Sequence, residues 1–371
     1  MASDMEKLNV LLGQFRELSA AADLERRRVM LEAFREVTAG YYDPWDSMMR
    51  IASAVMLLAA SFRGSVPLTA AERLLRAMES FMLVVEAEEK KYTIGPQTKV
   101  MADPKLADVV RRLYVHVANL RYDIPGHCNE AMPRFLAETN YQPPTSTKVT
   151  TFQKAFNTNL TYKEWIPTRP SYTRDPGSLM CLARTVLWVD SYPIEEKLGS
   201  IFTPSETTLM VDIGGGGGEQ ARAFRKRLPT LTGRIVVQDT PLAMVNLKHA
   251  PDISFAEHDL FGPQPILDAK LYYLRHVLQQ WPDDDCVQIL KNLILAMGPN
   301  SRLIIDDVVF PEMHVPWQAA YLDLILMNTT GGAFRTRAQW DALLERAGLK
   351  ILDVTQYDWA EMQNIIVTVP K

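Results

Sequence analysis

A run of glycines is the part of the sequence best suited to binding a small molecule. Residues 214–218 are all glycine; they follow the apolar residues 209–213 and precede Glu219. An apolar strand that ends in glycines and continues into a helix brings bare backbone close to a ligand, because no Cβ blocks the approach and the first helical N–H groups point at the bound molecule. Surface turns seldom need five glycines at such a junction. The pattern therefore predicts a nucleotide-like cofactor just after Ile213.

The spacing of the glycines narrows the choice of cofactor. A dinucleotide fingerprint reads G-x-G-x-x-G; Gly214 and Gly216 fit it, but Glu219 occupies the third glycine position. Asp239 ends the next apolar run, where a carboxylate can accept the hydroxyls of a ribose. Both NAD and S-adenosylmethionine would use such an acid. Two β-rich runs near the end of the sequence predict a terminal antiparallel hairpin, which a dinucleotide domain usually lacks, so the pattern favours S-adenosylmethionine.

The composition is that of an ordinary globular protein. Of 371 residues, 23% are charged and 47% hydrophobic, and the formal net charge is −4; with no long basic run, this argues against nucleic acid as a partner. Cys128, Cys181 and Cys286 have no C-x-x-C spacing, so neither a disulfide framework nor a metal site is indicated. No apolar run approaches membrane-spanning length, and Asp4 and Glu6 stand where a signal peptide would be basic. We therefore expect a cytoplasmic protein with no membrane partner and no metal.

The first half of the chain is helical in pattern. Apolar residues recur at three- and four-residue spacing over residues 5–22, 23–39, 44–62 and 68–85. A charged turn and a short β-like stretch follow, up to Ile94, and helices followed by a small hairpin suggest a winged-helix domain. Because this segment has no basic excess, we expect it to serve in dimerisation and in lining a pocket rather than in binding DNA. We place this first domain at residues 1–175.

The second half alternates strand and helix, and we place this domain at residues 176–371. The predicted strands are residues 209–213, 234–238, 253–257, 269–274 and 302–309, the helices are 220–227, 241–248, 284–296 and 337–347, and the terminal hairpin is 349–356 with 362–369. This alternation predicts an α/β fold with a parallel sheet covered on both faces and ligands at the carboxyl ends of the strands. Residues 141–174 are predicted to form loops and short helices over a site. Residues 177–198 are predicted to form one long helix that joins the halves.

Four motifs together resemble those of the plant and fungal small-molecule O-methyltransferases: residues 211–219, 258–261, 272–285 and 302–311. The likeness covers most of the chain. It implies a class I S-adenosylmethionine-dependent methyltransferase fold, Rossmann-like, with a helical, winged-helix-like N-terminal domain that forms a homodimer. It also implies S-adenosylmethionine or S-adenosylhomocysteine as the cofactor and a small molecule as the substrate.

Carried over by position, the resemblance assigns the cofactor contacts. The glycine loop would face the methionine part, Asp239 would hold the ribose hydroxyls, and Asp259 would accept the exocyclic amine of the adenine. Flat apolar side chains would cover the adenine ring. The full predicted set is Asp212, Gly214, Gly216, Asp239, Asp259, Leu260, Phe261, Arg275 and Trp281.

The chain departs from the family pattern where the reaction should take place. The segment that normally reads Leu-His-Asp-Trp, with the histidine as general base, is Leu278-Gln-Gln-Trp281 here, so Gln279 stands at the base position. An amide has no usable basic lone pair and cannot take a proton near neutral pH. The acid that usually supports the base is kept as Asp307, but the second acid is replaced by Phe334. His276 lies on the same segment and is expected to point away from the site.

A fold that keeps its cofactor motif and loses the base resembles the methyltransferase-like pericyclases of fungal secondary metabolism, of the leporin-pathway type. A pericyclic reaction needs no base; it needs a shaped pocket and donors that polarise a carbonyl. Gln279 and His127 are the candidate donors, with Asp307 as the retained acid. The expected pocket lining is Phe156, Trp165, Met180, Met327, Asn328 and Phe334.

Three functions remain open on this basis. The preferred one is a cofactor-binding pericyclase or cyclase acting on a polyketide-derived intermediate, such as a quinone methide or polyene. The second is an active O-methyltransferase of a small phenolic or polyketide hydroxyl, in which proximity or another base suffices. The third is a catalytically silent partner that binds the cofactor without turnover.

Overall fold

Two compact units make up the chain, Met1–Arg111 and Arg112–Lys371. The structure, a computed structural model, describes Gln14 and residues 84–88, 91–94, 124–169, 186–202, 208–241, 243–244, 252–359 and 361–371. The predicted N-terminal helices lie almost wholly outside these residues, as do Met180 and most of the predicted helix 241–248. The winged-helix arrangement and the domain boundary near residue 175 therefore stay predictions.

In the first unit, the described strands form a small hairpin. Its strands are β1 (Val84–Glu88) and β2 (Lys91–Ile94), which pair antiparallel with Val84 opposite Ile94. The short hairpin predicted to follow the N-terminal helices is thereby confirmed.

A mixed sheet forms the centre of the second unit. In chain order its strands are β3 (Thr208–Ile213), β4 (Arg234–Asp239), β5 (Ile253–Glu257), β6 (Leu271–Arg275), β7 (Arg302–Phe310), β8 (Arg335–Thr336), β9 (Leu349–Asp358) and β10 (Gln363–Pro370). Their spatial order is β5-β4-β3-β6-β7-β10-β9, and β8 pairs with β7. These strands pair in parallel except for β10, which runs antiparallel to both β7 and β9. The predicted parallel sheet and terminal hairpin are confirmed.

The strand order reverses direction between β3 and β6. From β3 the chain continues outward to β4 and β5, and it then returns to β6 on the other side of β3. At such a switch point the two connections leave in opposite directions, which opens a crevice at the carboxyl ends of the strands. The glycine run follows β3, and the Gln279 segment follows β6. The topology thus brings the two motifs singled out from the sequence to the same crevice.

Helices cover both faces of this sheet. In chain order the helices of the described residues are α1 (Ile124–Glu138), α2 (Thr151–Phe156), α3 (Tyr162–Trp165), α4 (Trp188–Ser191), α5 (Ile194–Leu198), α6 (Glu219–Arg227), α7 (Asp283–Ile294), α8 (Trp317–Thr329) and α9 (Arg337–Ala347), with 3₁₀ turns at Ile166–Thr168, Gly199–Ile201 and Leu278–Gln280. On one face Trp188 of α4 stacks on Tyr273 of β6, with ring centroids 5.4 Å apart. On the other face Leu290 of α7 and Trp340 of α9 are fully buried. The predicted helices 220–227, 284–296 and 337–347 are confirmed, and no helix in the described part of the chain is long and apolar enough to span a bilayer.

The single long helix predicted over residues 177–198 is wrong in its described part. α4 ends at Ser191, and α5 begins at Ile194. Pro193 lies between them and has no N–H to donate to a preceding turn. A proline also disfavours helical geometry in the residue before it, and Tyr192 is extended, with ψ of 130°.

Short capped helices follow α1. Loops and short helices were predicted over residues 141–174, and the structure describes this segment as far as Arg169. Thr150 caps α2 and Thr161 caps α3, and each forms a reciprocal capping box, with Gln153 and Glu164 respectively. Such boxes satisfy backbone donors that a short helix leaves unpaired. They fix the direction in which α2 and α3 present their side chains.

Candidate functional site

The glycine run forms an open loop between β3 and α6. Gly214 and Gly216 have positive φ, +70° and +52°, a conformation that favours glycine because it has no Cβ. A Cβ on Gly214 would lie 2.6 Å from Cγ2 of Val277, so a side chain does not fit there. At Gly216, by contrast, no atom of the described residues lies within 4 Å of a Cβ position. The loop therefore presents bare backbone to an open space at Gly216.

Asp239 is tied to this loop. It ends β4, and its Oδ2 accepts a hydrogen bond of 2.8 Å from the N–H of Gly216, while Oδ1 accepts one of 2.7 Å from the N–H of Thr240. The carboxylate is half-buried. Two backbone donors fix its orientation, and free lone pairs remain for the hydroxyls of a ribose.

Asp212 lies beneath the glycine loop on β3. It is 1% exposed, and its Oδ2 has no hydrogen-bond partner among the described residues. Burial raises the pKa of Asp212 to about 7, against the lowering effect of the Ala221 N–H. A buried carboxylate without a cationic partner is costly. A donor or positive charge brought by a ligand would relieve that cost.

An aromatic pair lies on the adenine side of the predicted site. Phe261 meets Trp281 edge to face, with ring centroids 4.9 Å apart. Leu260 packs against the same core cluster as both rings. Asp259 Oδ1 accepts the N–H of Phe261 at 3.0 Å, which fixes the loop after β5. A residue that the sequence did not single out also lies here: the ammonium of Lys163, on α3, is 3.7 Å from the ring centroid of Trp281.

Arg275 belongs to a buried network at the end of β6. Its Nη1 is 3.4 Å from Oδ2 of Asp306. The hydroxyls of Tyr273 and Tyr357 donate to the same carboxylate at 2.5 Å and 2.8 Å. Burial raises the pKa of Asp306, and the charge of Arg275 opposes that shift. The guanidinium is thus engaged within the sheet, and its predicted contact with adenine stays a prediction.

A tightly held turn carries Gln279. The 3₁₀ turn Leu278–Gln280 follows β6, and Arg335 donates to the carbonyls of Leu278 at 3.1 Å and Trp281 at 3.0 Å. Arg335 is anchored in turn by Asp283, at 2.8 Å. Neither Arg335 nor Asp283 was identified from the sequence as a site residue, although Arg335 lies directly after Phe334 in a segment that the family resemblance singled out. The position of Gln279 is therefore set by a buried guanidinium.

The Gln279 side chain carries a buried acceptor that no described residue satisfies. None of the described residues donates a hydrogen bond to its Oε1, although that atom is buried. Gly332 packs against the backbone of the turn, since a Cβ on Gly332 would lie 2.1 Å from the carbonyl oxygen of Gln279. A buried carbonyl oxygen without a donor costs free energy. A hydroxyl or amine of a substrate would satisfy it.

Asp307 is held beside the same turn. Its Oδ1 accepts the N–H of Val308 at 2.8 Å, and the backbone N–H of Gln279 also donates to the carboxyl group. Its Oδ2 finds no donor in the part of the chain that the structure describes. Burial raises the pKa of Asp307 to about 7. The structure thus brings Gln279 and Asp307 together, as the sequence predicted.

Two further groups that the sequence singled out, Phe334 and His276, have partners of their own. Phe334 packs on Phe310, with ring centroids 5.2 Å apart, in a small apolar cluster. His276 Nε2 is 3.1 Å from Oε1 of Gln363 on β10. Burial and the charge of Arg275 lower the pKa of His276 to about 3, so it is neutral. The His276 ring is therefore engaged with β10.

Two of the predicted lining residues, Phe156 and Trp165, belong to an aromatic cluster on α1, α2 and α3. Phe156 lies 5.0 Å from Trp165 and 5.5 Å from His127, measured between ring centroids. The His127 side chain is exposed on helix α1. On α8, Met327 is half-buried, and Asn328 donates to Oδ1 of Asn129 at 3.1 Å, while the Oδ1 of Asn328 has no donor among the described residues. Asn129 was not identified from the sequence.

These residues fit S-adenosylmethionine. The cofactor carries an amino group and a sulfonium charge, a ribose and an adenine. The buried Oδ2 of Asp212 suits the cationic end, Gly216 and Asp239 suit the ribose, and Trp281 with Phe261 suits the flat ring. Among the described residues no group of acids, histidines or cysteines could hold a metal ion.

Comparisons with known proteins point to the same family. A family model described as an O-methyltransferase domain matches residues 193–350. The chain is 44% identical over 357 residues to the demethylsterigmatocystin 6-O-methyltransferase of Aspergillus parasiticus, and the match covers 90% of each chain.

Solved structures with the same fold include proteins of a different activity. One, described as a pericyclic reaction enzyme, has a TM-score of 0.70 and 29% identity, over 99% of this chain and 100% of that one. A complex of LepI with S-adenosylmethionine has a TM-score of 0.69 and 29% identity over the same shares. The class I methyltransferase fold, S-adenosylmethionine as the cofactor and the resemblance stated from the motifs are thereby confirmed. On its sequence, its fold and its cofactor site, the chain belongs to the family of S-adenosylmethionine-dependent O-methyltransferases of small molecules.

Proposed function

We propose that the protein transfers a methyl group to a hydroxyl oxygen of a small phenolic or polyketide-derived molecule. The observation that carries this proposal is the joined cradle of Gly216 and Asp239, across the crevice from the Gln279 turn. The 44% identity to an O-methyltransferase over nine-tenths of both chains supports it. Methyl transfer therefore replaces the pericyclic reaction as the preferred function, although the sequence alone favoured the latter.

The residues around the turn can hold an acceptor hydroxyl in place. S-adenosylmethionine, when bound, supplies a methyl group activated by its positive sulfur. The free Oε1 of Gln279 can accept a hydrogen bond from another polar group of the acceptor molecule and so hold its hydroxyl near the cofactor, leaving the hydroxyl hydrogen for a base. Orientation of this kind can supply several kcal/mol of a barrier, on the order of 7–11 in the best cases. Gln279 thus acts by placement and cannot itself remove the proton.

The proton needs a different acceptor, and Asp307 is the titratable group bound to the same turn. Its Oδ2 is unpartnered within the described residues, and its pKa of about 7 suits a base near neutral pH. In the usual family arrangement this acid supports a histidine. Here we propose that it receives the proton of the acceptor hydroxyl without one.

The decisive experiment follows a labelled methyl group. The protein is incubated with methyl-labelled S-adenosylmethionine and demethylsterigmatocystin, the compound named for its relative, and then with a panel of phenols. Label recovered in the product in a one-to-one ratio with S-adenosylhomocysteine supports the proposal. Asp239→Ala, which removes the predicted ribose acid, is the control with weakened cofactor binding and should need a higher cofactor concentration for the same labelling. Product without label, or no product from any hydroxylated compound, counts against it.

A pericyclic reaction is the second candidate, and Gln279 is the observation that favours it. Such a reaction needs no base, and a side-chain amide can polarise a carbonyl through its NH₂ group. The structural similarity to a pericyclic reaction enzyme supports it at 29% identity. The two functions differ in Gln279→His: restoring a base should raise the rate of methyl transfer by about tenfold or more, whereas it should not improve a pericyclic reaction. For the latter, Gln279→Ala should slow turnover by about ten- to a thousandfold.

The assembly proposed with this function is a homodimer in the cytoplasm. The N-terminal segments 5–22, 23–39 and 44–62 carry apolar stripes that one small module cannot bury alone, and such surfaces usually mark interfaces. The family resemblance supports pairing through these helices.

A further inference from the structure

Lys163 is a charged residue placed on the cofactor side of the crevice. It lies on the short helix α3, which the Thr161 capping box holds in position. Its ammonium stands over the ring of Trp281, 3.7 Å from the centroid. Solvent reaches the side chain, while the protein around the ammonium lowers the pKa of Lys163 to about 8, against the opposing charge of Asp239. The ammonium is therefore held against the Trp281 ring although part of the side chain is exposed.

Both partners of this ammonium are predicted cofactor contacts. Trp281 offers the flat surface expected to meet the adenine, and Asp239 is the acid expected to hold the ribose. A cation over the face of a tryptophan is attracted by the ring quadrupole, and the carboxylate adds a Coulombic attraction. Lys163 thus interacts with the two residues, Trp281 and Asp239, that are expected to bind the adenosine part of the cofactor.

The ammonium and an adenine cannot share one face of Trp281. Carbon atoms in contact lie about 3.5–4.0 Å apart, and the ammonium already lies 3.7 Å from the ring centroid. Phe261 approaches the same indole at 79° and limits the free area around it. An adenine stacked on the face that Lys163 covers therefore has to displace the lysine.

We propose that Lys163 is an intramolecular competitor for the adenosine part of the cofactor, covering Trp281 in the free protein and leaving it when the cofactor binds. The observed affinity is then the intrinsic affinity reduced by the fraction of molecules in which Trp281 is uncovered. The proposal concerns binding alone, so it holds whichever reaction follows.

Removal of the ammonium should tighten binding. In Lys163→Met the apolar stem remains and the charge is lost, so S-adenosylhomocysteine should bind about three- to thirtyfold more tightly, the range of a cation–π contact converted to an affinity ratio. Lys163→Arg keeps a cation and should bind like the unmodified protein. Calorimetric titration of the full chain, without turnover, measures both.

Adenosine as a second probe separates competition from charge repulsion. It carries the ring and the ribose but no charge, so displacement of Lys163 predicts the same tightening for adenosine as for S-adenosylhomocysteine. If instead the lysine acted by repelling charge, adenosine would show no change, and the proposal would be wrong. Equal or weaker binding of both probes by Lys163→Met would also overturn it.

Two further variants locate the effect. In a Trp281→Ala background the Lys163→Met change should no longer tighten binding, because the shared surface is gone; persistent tightening there contradicts the proposal. Arg169→Met is the matched control: Arg169 lies over Trp165 at 5.1 Å, on the same segment but away from the predicted adenine site. It should leave the affinity for both probes unchanged.

Discussion

Among single residues, Asp212 and Asp307 stand out as buried carboxyl groups whose ionisation the fold opposes. Burial raises the pKa of each to about 7, from an ordinary value of 3.8. Because the folded pKa lies above the unfolded one, the folded protein holds the proton more tightly. The stability that this proton confers is complete below about pH 4 and is lost as the pH rises to about 7. Above about pH 7, where both carboxyl groups are ionised, they therefore lower the free energy of unfolding.

Asp307→Asn should make the protein more stable at pH 8. The amide keeps an oxygen for the Val308 N–H and carries no charge, so the free energy of unfolding should rise by on the order of 2 kcal/mol. The loss of stability between pH 4 and 7 should become shallower. Urea titrations across this range measure both effects, and the exposed Asp252→Asn should show neither. If Asp307 accepts the proton, the same variant should lower kcat by about a hundredfold; undiminished activity would exclude that role.

Asp239→Ala should weaken cofactor binding by at least about 1.5 kcal/mol, the scale of hydrogen bonds to a charged group. The variant loses the acceptor for the ribose hydroxyls and also frees the N–H of Gly216. Calorimetry with S-adenosylhomocysteine measures the effect, and the exposed Asp190→Ala on α4 is its control. Unchanged affinity would remove Asp239 from the site, and preferential binding of NAD would refute the assignment of the cofactor.

The turn after β6 shows how elements distant in sequence fix a functional residue. Leu278–Gln280 is held by Arg335 from β8 and is covered by Gly332, which precedes that strand. The Gly332 position is so close to the Gln279 carbonyl that no side chain fits without a shift of the backbone. The orientation of Gln279 is therefore a property of the contact between the turn and the segment before β8.

Gly332→Ala should displace this turn. Its Cβ would lie 2.1 Å from a backbone oxygen, so the variant should lose about 1–3 kcal/mol of stability, the usual cost of overpacking. It should also lose activity by a larger factor than it loses cofactor affinity. Gly199→Ala, where a Cβ meets no described atom within 4 Å, is the matched control. Thermal unfolding measures the loss of stability, and steady-state kinetics measure the loss of activity. Full activity in Gly332→Ala would contradict the proposed role of Gly332 in holding the turn.

Periodicity and motif spacing predicted the elements well, because they report local preferences. The alternation after residue 207 and the final β-rich runs predicted the sheet and its antiparallel hairpin. The prediction of one helix over residues 177–198 was wrong because Pro193 interrupts the helix despite the amphipathic pattern. Lys163, Arg335 and Gly332 were missed for a different reason: their contacts reach residues far away along the chain, and those contacts cannot be derived from periodicity or motif spacing.

At the scale of the whole molecule, the proposed dimer depends on the N-terminal segments. Deletion of residues 1–40 should give a monomer or an insoluble protein, because it exposes the apolar stripes on the remaining segments. Light scattering coupled to size-exclusion chromatography measures the mass. A truncated protein that stays a dimer and keeps its full activity would contradict the proposed interface.

The position of β10 bears on how the protein is made. This strand is the last of the sheet in chain order, yet it lies between β7 and β9 and pairs with both. During synthesis β7 emerges from the ribosome first, and it then presents an unpaired edge towards the place that β10 will fill. Open edges of this kind invite pairing with other chains. Nascent protein should therefore pass through a vulnerable interval that ends only when residues 363–370 have emerged, and slow translation of that final stretch would lengthen the exposure to chaperones and to aggregation.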